Sequence, residues 1–244
     1  MERQKYFVVF LFMFFSFSIT GASYKSDVYR AYTGNDMTLW KKVIDEMNLQ
    51  KVKSDKFRLE LLNYQYGYIA WCIGSKKSDL AEPYIKLGET NILVLEKSGY
   101  KPSWVNAYKS AFYGYKIGLN IFKAPFIGPK SVDCAKLAMK QDDKNPYGYI
   151  QYANSQYYMP AAFGGSKSEA LKYYLKAEKL MENNKDQIKE DWNYLSLLSM
   201  VAQAYTELND YRSAKVYYLK ILSIEPNFLW VKNELYPELL KKIK

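Results

Sequence analysis

The stretch from Leu195 to Phe228 constrains the fold most, because it holds two short amphipathic segments separated by a tight turn. In the first segment, apolar residues recur at helical spacing: Leu195, Leu198, Val201, Ala202 and Tyr205. Asn209 and Asp210 interrupt this pattern and are typical turn residues. A second apolar stripe follows, and Pro226 lies just past it, where a helix is expected to end. The stretch therefore predicts two helices that pack antiparallel as a hairpin.

This hairpin carries a known repeat pattern. The matching residues, in order, are Leu198, Val201, Ala202, Tyr205, Ala214, Tyr218, Ile221 and Pro226. The stretch thus resembles a tetratricopeptide repeat, although Leu198 replaces the usual Trp and Ile221 replaces an Ala. Ala170, Tyr174 and Ala177 match the second helix of the same motif, so a further repeat is expected there with longer linkers. The resemblance covers roughly residues 103–230, is weaker over 36–97, and specifies fold far better than function.

The resemblance implies an all-α fold, a tetratricopeptide-like helical-hairpin solenoid over residues 36–244. The segment 229–244 is predicted to be a C-terminal capping helix, since each unit of a solenoid buries one face on its neighbour. Residues 23–35 are polar and are predicted to be an extended lead-in. Asp36 can cap a first helix that begins near Met37.

The N-terminus has the pattern of a secretory signal peptide. Arg3 and Lys5 precede an uncharged apolar run over residues 7–19, and the small residues Gly21 and Ala22 suit a cleavage site. We expect cleavage after Ala22, which removes residues 1–22 and places the mature chain in the periplasm or outside the cell. The run is short for a membrane span. An uncleaved anchor is the alternative, and only then would the protein be membrane-associated.

Charge and residue content limit the possible partners and chemistry. The formal net charge is +10, which favours acidic partners or anionic surfaces, although scattered lysines are also typical of a solvated surface. No nucleic-acid motif is present, and none is expected in an exported protein. The chain has no histidine, no phosphate-binding loop and no zinc-type cysteine cluster. Asp142 and Asp143 are typical of a turn, so we expect no enzymatic activity, metal or cofactor.

Cys72 and Cys134 both lie in apolar, helical contexts. An exported protein can form a disulfide, whereas a cysteine is also commonly buried as a small apolar residue. The spacing does not decide between these alternatives, because a bridge requires the two Cα atoms to lie within about 7 Å.

Two segments that combine Pro, an aromatic residue and Gly, 123–130 and 159–165, are predicted to be loops. Each joins the first and second helices of a pair, and equivalent loops project from the same edge of a repeat stack. Phe126 and Phe163 could then form an apolar lip. The alternative is that each ring tucks inward and fixes its own loop.

The resemblance also implies that first helices line the inner, concave face of the stack. These helices are rich in tyrosine, whose side chain offers a large contact area and a hydroxyl at small entropy cost. The tyrosines that we predict to bind ligand are Tyr108, Tyr115, Tyr149, Tyr152 and Tyr194.

Two functions are compatible with these features. The first is a non-catalytic scaffold that binds a protein or peptide on its concave face. The second is a soluble component, for example beside a transporter, that binds a small molecule or glycan in a closed, tyrosine-rich cavity. The two differ in whether the tyrosines line an open groove or an enclosed pocket.

Overall fold

A computed structural model describes residues 23–243, and these residues form helices with no strand among them. The all-α prediction is therefore confirmed. The predicted signal peptide, residues 1–22, lies outside the described residues. Within them, no helix combines the length and apolar character needed to cross a membrane.

The helices follow one another through short connections. In chain order they are α1 (Tyr24–Thr33), α2 (Met37–Leu49), α3 (Asp55–Gly74), α4 (Ser78–Ser98), α5 (Pro102–Leu119), α6 (Ala124–Gln141), α7 (Pro146–Tyr158), α8 (Lys167–Glu182), α9 (Lys185–Ile188), α10 (Trp192–Glu207), α11 (Tyr211–Ile224) and α12 (Tyr236–Ile243). Two 3₁₀ turns, Ile121–Lys123 and Ala161–Phe163, lie before α6 and before α8, and a π-helical turn, Val231–Leu235, leads into α12.

The predicted hairpin at 195–228 is confirmed as α10 and α11. Asp210 caps α11, because its side chain accepts a hydrogen bond from the Ser213 backbone N–H at 3.0 Å. Ala202 and Ala214 are fully buried, so the two backbones can approach closely. The consecutive pairs α3/α4, α5/α6 and α7/α8 also pack against each other, and the connection between α7 and α8 is the longest of these.

The extended lead-in predicted for residues 23–35 is wrong, because most of this segment is helix α1. Ser23 caps the helix by accepting from the Ser26 N–H, and Val28 and Ala31 are fully buried. The helix also packs against α2 and α10, which are far apart in sequence. Burial against both ends of the chain stabilises a helix whose own composition is polar.

The loop predicted over residues 123–130 is also wrong, because α6 begins at Ala124. Pro125 lies in the first turn of the helix, where the missing N–H has no intrahelical partner to lose. Pro129 lies inside the helix and is tolerated there. By contrast, the segment 159–165 is a connection with one 3₁₀ turn, as predicted.

Two apolar cores are joined by an aromatic cluster at the centre of the molecule. One core comes from α1 to α5, and the other from α7, α8 and α10 to α12. Trp192 of α10 meets Trp40 of α2 at 4.9 Å and Tyr32 of α1 at 5.7 Å between ring centroids. Tyr32 also contacts Phe228, beyond α11, at 4.8 Å. The N-terminal helices are therefore packed onto the C-terminal hairpin.

The C-terminal segment closes the chain as a helix. Leu239 of α12 is buried, and α12 packs against α11. The side chains that face water in α12 include Lys241 and Lys242, so the helix is apolar on one side only.

The two cysteines are free in the structure, with Cys72 buried and Cys134 half-buried. Burial raises the pKa of the Cys72 thiol to about 11, because apolar surroundings favour the uncharged form. Since the thiolate is the reactive form, we expect Cys72 to resist Ellman's reagent at pH 8 in the native protein. Denaturation should make two thiols titratable without reductant. A fully denatured chain with no titratable thiol would show a disulfide instead.

Candidate functional site

The seven residues predicted to bind ligand lie in four separate environments. Tyr108 and Tyr115 lie on α5 around one tyrosine of α3, Tyr149 and Tyr152 lie on α7 beside α8, and Tyr194 faces an ion-pair cluster. Phe126 and Phe163 lie on the surface.

Tyr108 is fully buried and forms part of the core. Its hydroxyl donates to Asn63 Oδ1 at 3.0 Å, and its ring lies 5.7 Å from the ring of Tyr66. Tyr115 is half-buried, stacks on Tyr66 at 5.7 Å and donates to the Tyr66 carbonyl at 2.9 Å. Burial raises the pKa of both hydroxyls well above 10, so both stay neutral.

Tyr194 is buried against charged groups that link two hairpins. Its hydroxyl donates to Glu182 Oε1 at 2.6 Å, and Lys220 Nζ contacts the same oxygen at 2.7 Å. Lys220 also contacts the nearly buried Glu178 at 2.6 Å, and Tyr217 donates to that carboxylate. Every member has a partner, so the cluster holds α8, α10 and α11 together rather than presenting a free acid or base.

Tyr149 and Tyr152 are half-buried on a different side of the molecule. Both rings lie close to Tyr173 of α8, Tyr152 at 4.5 Å and Tyr149 at 6.2 Å. The Tyr149 hydroxyl donates to the Asp143 carbonyl at 3.0 Å. The structure therefore does not bring these two side chains together with Tyr108, Tyr115 or Tyr194.

Phe126 and Phe163 are both exposed, at 78% and 77%, so neither ring tucks inward onto its own turn. Three more large apolar side chains nearby in the sequence are equally open, and sequence analysis missed them. They are Ile121 at 64%, Phe122 at 84% and Tyr158 at 70%. In the sequence, the adjacent apolar residues Ile121 and Phe122, directly before Lys123, could have indicated two of these three positions.

These five side chains lie at one end of the molecule. Helices α5 and α7 contact each other, and each is followed by an antiparallel partner. The turn between α5 and α6 and the turn between α7 and α8 therefore lie at the same end. We call this surface the aromatic end and define it as Ile121, Phe122, Phe126, Tyr158 and Phe163.

Backbone geometry holds Phe163 outward. Gly164 adopts a φ of 93°, in the left-handed region that favours glycine, and it follows Phe163 directly. Gly165 lies against the carbonyl of Met159, where a Cβ atom would collide with the oxygen. The turn closes with backbone hydrogen bonds from Phe163 and Gly165 to the Pro160 carbonyl, at 2.9 and 3.2 Å.

Tyr158 belongs to the aromatic end and also contacts helix α10. Its ring is largely exposed, whereas its hydroxyl points to Met200 Sδ on α10 at 3.8 Å. Gln203 Nε2 approaches the same sulfur at 3.9 Å. The hydroxyl of Tyr158 thus lies against α10 while most of its ring faces solvent.

A small crevice lies between α3, α7, α8 and α10. Its walls include Tyr66, Tyr147, Tyr174, Asn154 and Met200, and its volume is about 30 Å³. Trp192 also lines it, and the Trp192 indole N–H is buried without a hydrogen-bond partner. This volume holds one or two water molecules, which is far less than a small-molecule ligand needs.

A second cleft, of about 110 Å³, lies between α10, α11 and the C-terminal helix. Glu207, Glu238 and Lys242 contribute charges of both signs to it. No group of three or more metal-ligating side chains occurs within residues 23–243. The lining of the cleft is mostly polar, and its volume is well below that of a typical small-molecule pocket.

Comparison with known proteins gives a likeness in fold. No protein-family model matches the sequence, and no curated protein matches it. Among solved structures, the chain is similar to the HusA haemophore from Porphyromonas gingivalis, with a TM-score of 0.58 and 18% sequence identity. The match covers 77% of this chain and 96% of the haemophore chain. At this identity, the likeness establishes a shared helical fold.

Proposed function

We propose that the mature chain is an exported, non-catalytic binding protein that takes an apolar small molecule at its aromatic end. The observation that carries the proposal is the exposure of five large apolar side chains on turns of two adjacent hairpins. Exposed apolar side chains that are concentrated at one end of a protein are typical of a binding site. Backbone hydrogen bonds order the turn that carries Phe163, so little order is lost there on binding.

The ligand class that we propose is a flat, mainly apolar molecule such as a tetrapyrrole. Exposed rings offer flat contact faces, and the interior crevice is too small for such a ligand. The likeness in fold to a haemophore supports the choice of this class for the first test. Because the chain has no histidine, an iron-free porphyrin is the suitable probe, since its binding needs no iron ligand.

A protein or peptide partner is the second candidate. It is favoured by the extent of the aromatic end, which spans two turns and so offers more surface than a compact ligand covers. Its place would be this end rather than the central part of the inner face, where Trp40, Trp192 and Tyr108 fill the space between helices.

We also infer that the hairpins are tetratricopeptide-like repeats. The small and aromatic positions of the motif support this assignment, because Ala170, Tyr174 and Ala177 are fully buried in α8. Ala214 and Tyr218 occupy the equivalent buried face of α11. A repeat stack explains why equivalent turns, and with them the exposed rings, share one end.

Removing the exposed rings should abolish most of the binding. We expect the triple variant Phe122→Ala, Phe126→Ala, Phe163→Ala to bind protoporphyrin IX at least 30-fold more weakly than the mature wild type. The lost apolar contact area supplies the reason, since each exposed ring that becomes covered contributes favourable transfer free energy. Fluorescence titration of the porphyrin at low protein concentration measures both affinities.

A matched control removes equally exposed apolar groups at the opposite end. Leu49, which ends α2, and Val52, on the connection between α2 and α3, are 81% and 92% exposed. The double variant Leu49→Ala, Val52→Ala should bind like the wild type. Equal affinity in the triple variant and the wild type would overturn the proposed site. Failure of the wild type to bind any porphyrin would favour the protein partner.

A further inference from the structure

We propose that the ligand of the aromatic end carries acid groups, and that Lys123 and Lys130 bind them. This inference rests on the proposed function and narrows its ligand class to amphipathic acids: a flat apolar body with one or more carboxylates. The distribution of charge around the exposed rings supports this narrower ligand class.

Acidic side chains are absent from the segments that build this end. No Asp or Glu occurs between Glu96 and Asp133, a stretch that contains six lysines. The stretch between Asp143 and Glu169, which includes the second turn, also lacks acidic residues. The end is therefore apolar and cationic.

Lys123 and Lys130 flank one exposed ring. Phe126 lies three residues after Lys123 and four residues before Lys130, and residues at these spacings share a helix face. Both lysines are exposed, and Lys123 also directly follows Phe122. A molecule lying on the rings of Phe122 and Phe126 would thus have an ammonium group within reach on either side.

The ammonium groups of Lys123 and Lys130 are available to bind a ligand carboxylate, whereas those of other lysines nearby already have partners within the protein. In the described part of the chain, neither Lys123 nor Lys130 has a carboxylate within 4 Å. Lys109 pairs with Glu96 at 2.5 Å, and Lys116 pairs with Glu89. Lys167 donates to the Tyr157 carbonyl at 2.5 Å and lies over the Tyr157 ring.

Two unpaired cations beside apolar rings favour an anionic, apolar ligand over a neutral one. The ring surface excludes water from one side of a bound carboxylate, and this strengthens its attraction to the ammonium groups. A neutral ligand of the same shape gains only the apolar contact. Lys123 and Lys130 would therefore make the site selective for anionic ligands, in addition to keeping the surface solvated.

The experiment compares protoporphyrin IX, a diacid, with its dimethyl ester, which has the same rings and no charge. The mature chain should bind the diacid at least tenfold more tightly, and 0.5 M NaCl should reduce this preference. The double variant Lys123→Gln, Lys130→Gln should weaken diacid binding about tenfold and leave ester binding unchanged. Lys136→Gln, Lys140→Gln, on the same helix but farther from the turn, changes net charge equally and should have little effect.

The outcomes separate this inference from the proposed function. Equal binding of diacid and ester, or equal loss in both lysine variants, would overturn the acid selectivity while the site stands. No binding of either probe would overturn the proposed function itself. Binding to vesicles of anionic lipid in place of either soluble porphyrin would also overturn the inference, because the partner would then be a membrane surface.

Discussion

Replacement of Trp192 by Ala should lower the free energy of unfolding by about 3–5 kcal/mol, the range for deleting a large buried aromatic side chain. Trp192 is 5% exposed and contacts Trp40, Tyr32 and Tyr66. It lies where the two apolar cores meet, so the variant should also unfold less cooperatively. Urea unfolding followed by circular dichroism at 222 nm gives both the midpoint and the slope.

The control for this variant is Trp230→Ala. Trp230 is half-buried near the C-terminus and packs on the second core only. Its loss should cost clearly less than the loss of Trp192 and should leave a single transition. If the two variants had equal stability and equal slopes, Trp192 would not be the junction between the cores.

Gly67→Ala is the second change with a large expected effect. A Cβ atom at this position would lie 2.6 Å from ring atoms of both Trp192 and Trp40, and both rings are buried. Overpacking of this kind costs about 1–3 kcal/mol. The cost exceeds the gain of up to about 1 kcal/mol that alanine normally brings to a helix interior. We therefore expect net destabilisation.

Gly114→Ala is the same chemical change at an exposed position, and there we expect the opposite effect on stability. Gly114 is an exposed glycine inside α5, and a Cβ atom there would meet nothing within 4 Å. This variant should be more stable than the wild type by about 0.5–1 kcal/mol, because alanine favours the helix. The urea midpoint should therefore fall in Gly67→Ala and rise in Gly114→Ala. Since the chemical change is the same, the difference reports the contact of Gly67 with the two tryptophans. Two shifts in the same direction would contradict the packing around Gly67.

The sequence predicted those parts of the fold in which local signals agree. In α10 and α11 the apolar spacing, the turn residues and Pro226 all indicate a hairpin, and the structure has one. Helix α1 was missed because Val28 and Ala31 are the only aliphatic residues on its buried face, so that it resembles a polar segment. Its burial depends on α10 and Phe228, which are distant in the chain.

The start of α6 was missed for a different reason. Pro125, Gly128 and Pro129 normally indicate a break, yet proline fits the first helical turn and the helix continues through Pro129. The same misinterpretation hid the relation between Phe126, Lys123 and Lys130, which share a face only if the segment is helical.

The candidate site could be predicted only in part. The shared pattern of Pro, aromatic residue and Gly singled out Phe126 and Phe163, and the structure places both on the surface. The tyrosines could not be sorted, because the direction of each side chain depends on how its helix is rotated against its neighbours. Tyr108 and Tyr194 turn inward for this reason, whereas Tyr158, which was not selected, faces out.

Amide hydrogen exchange with and without bound protoporphyrin IX tests the central claim most directly. Ligand at the aromatic end should slow exchange in residues 120–127 and 157–166 and leave the connection between α2 and α3 unchanged. Protection confined to the inner segments around Tyr66 and Met200, with no change at the two turns, would contradict the account and place the ligand inside the stack.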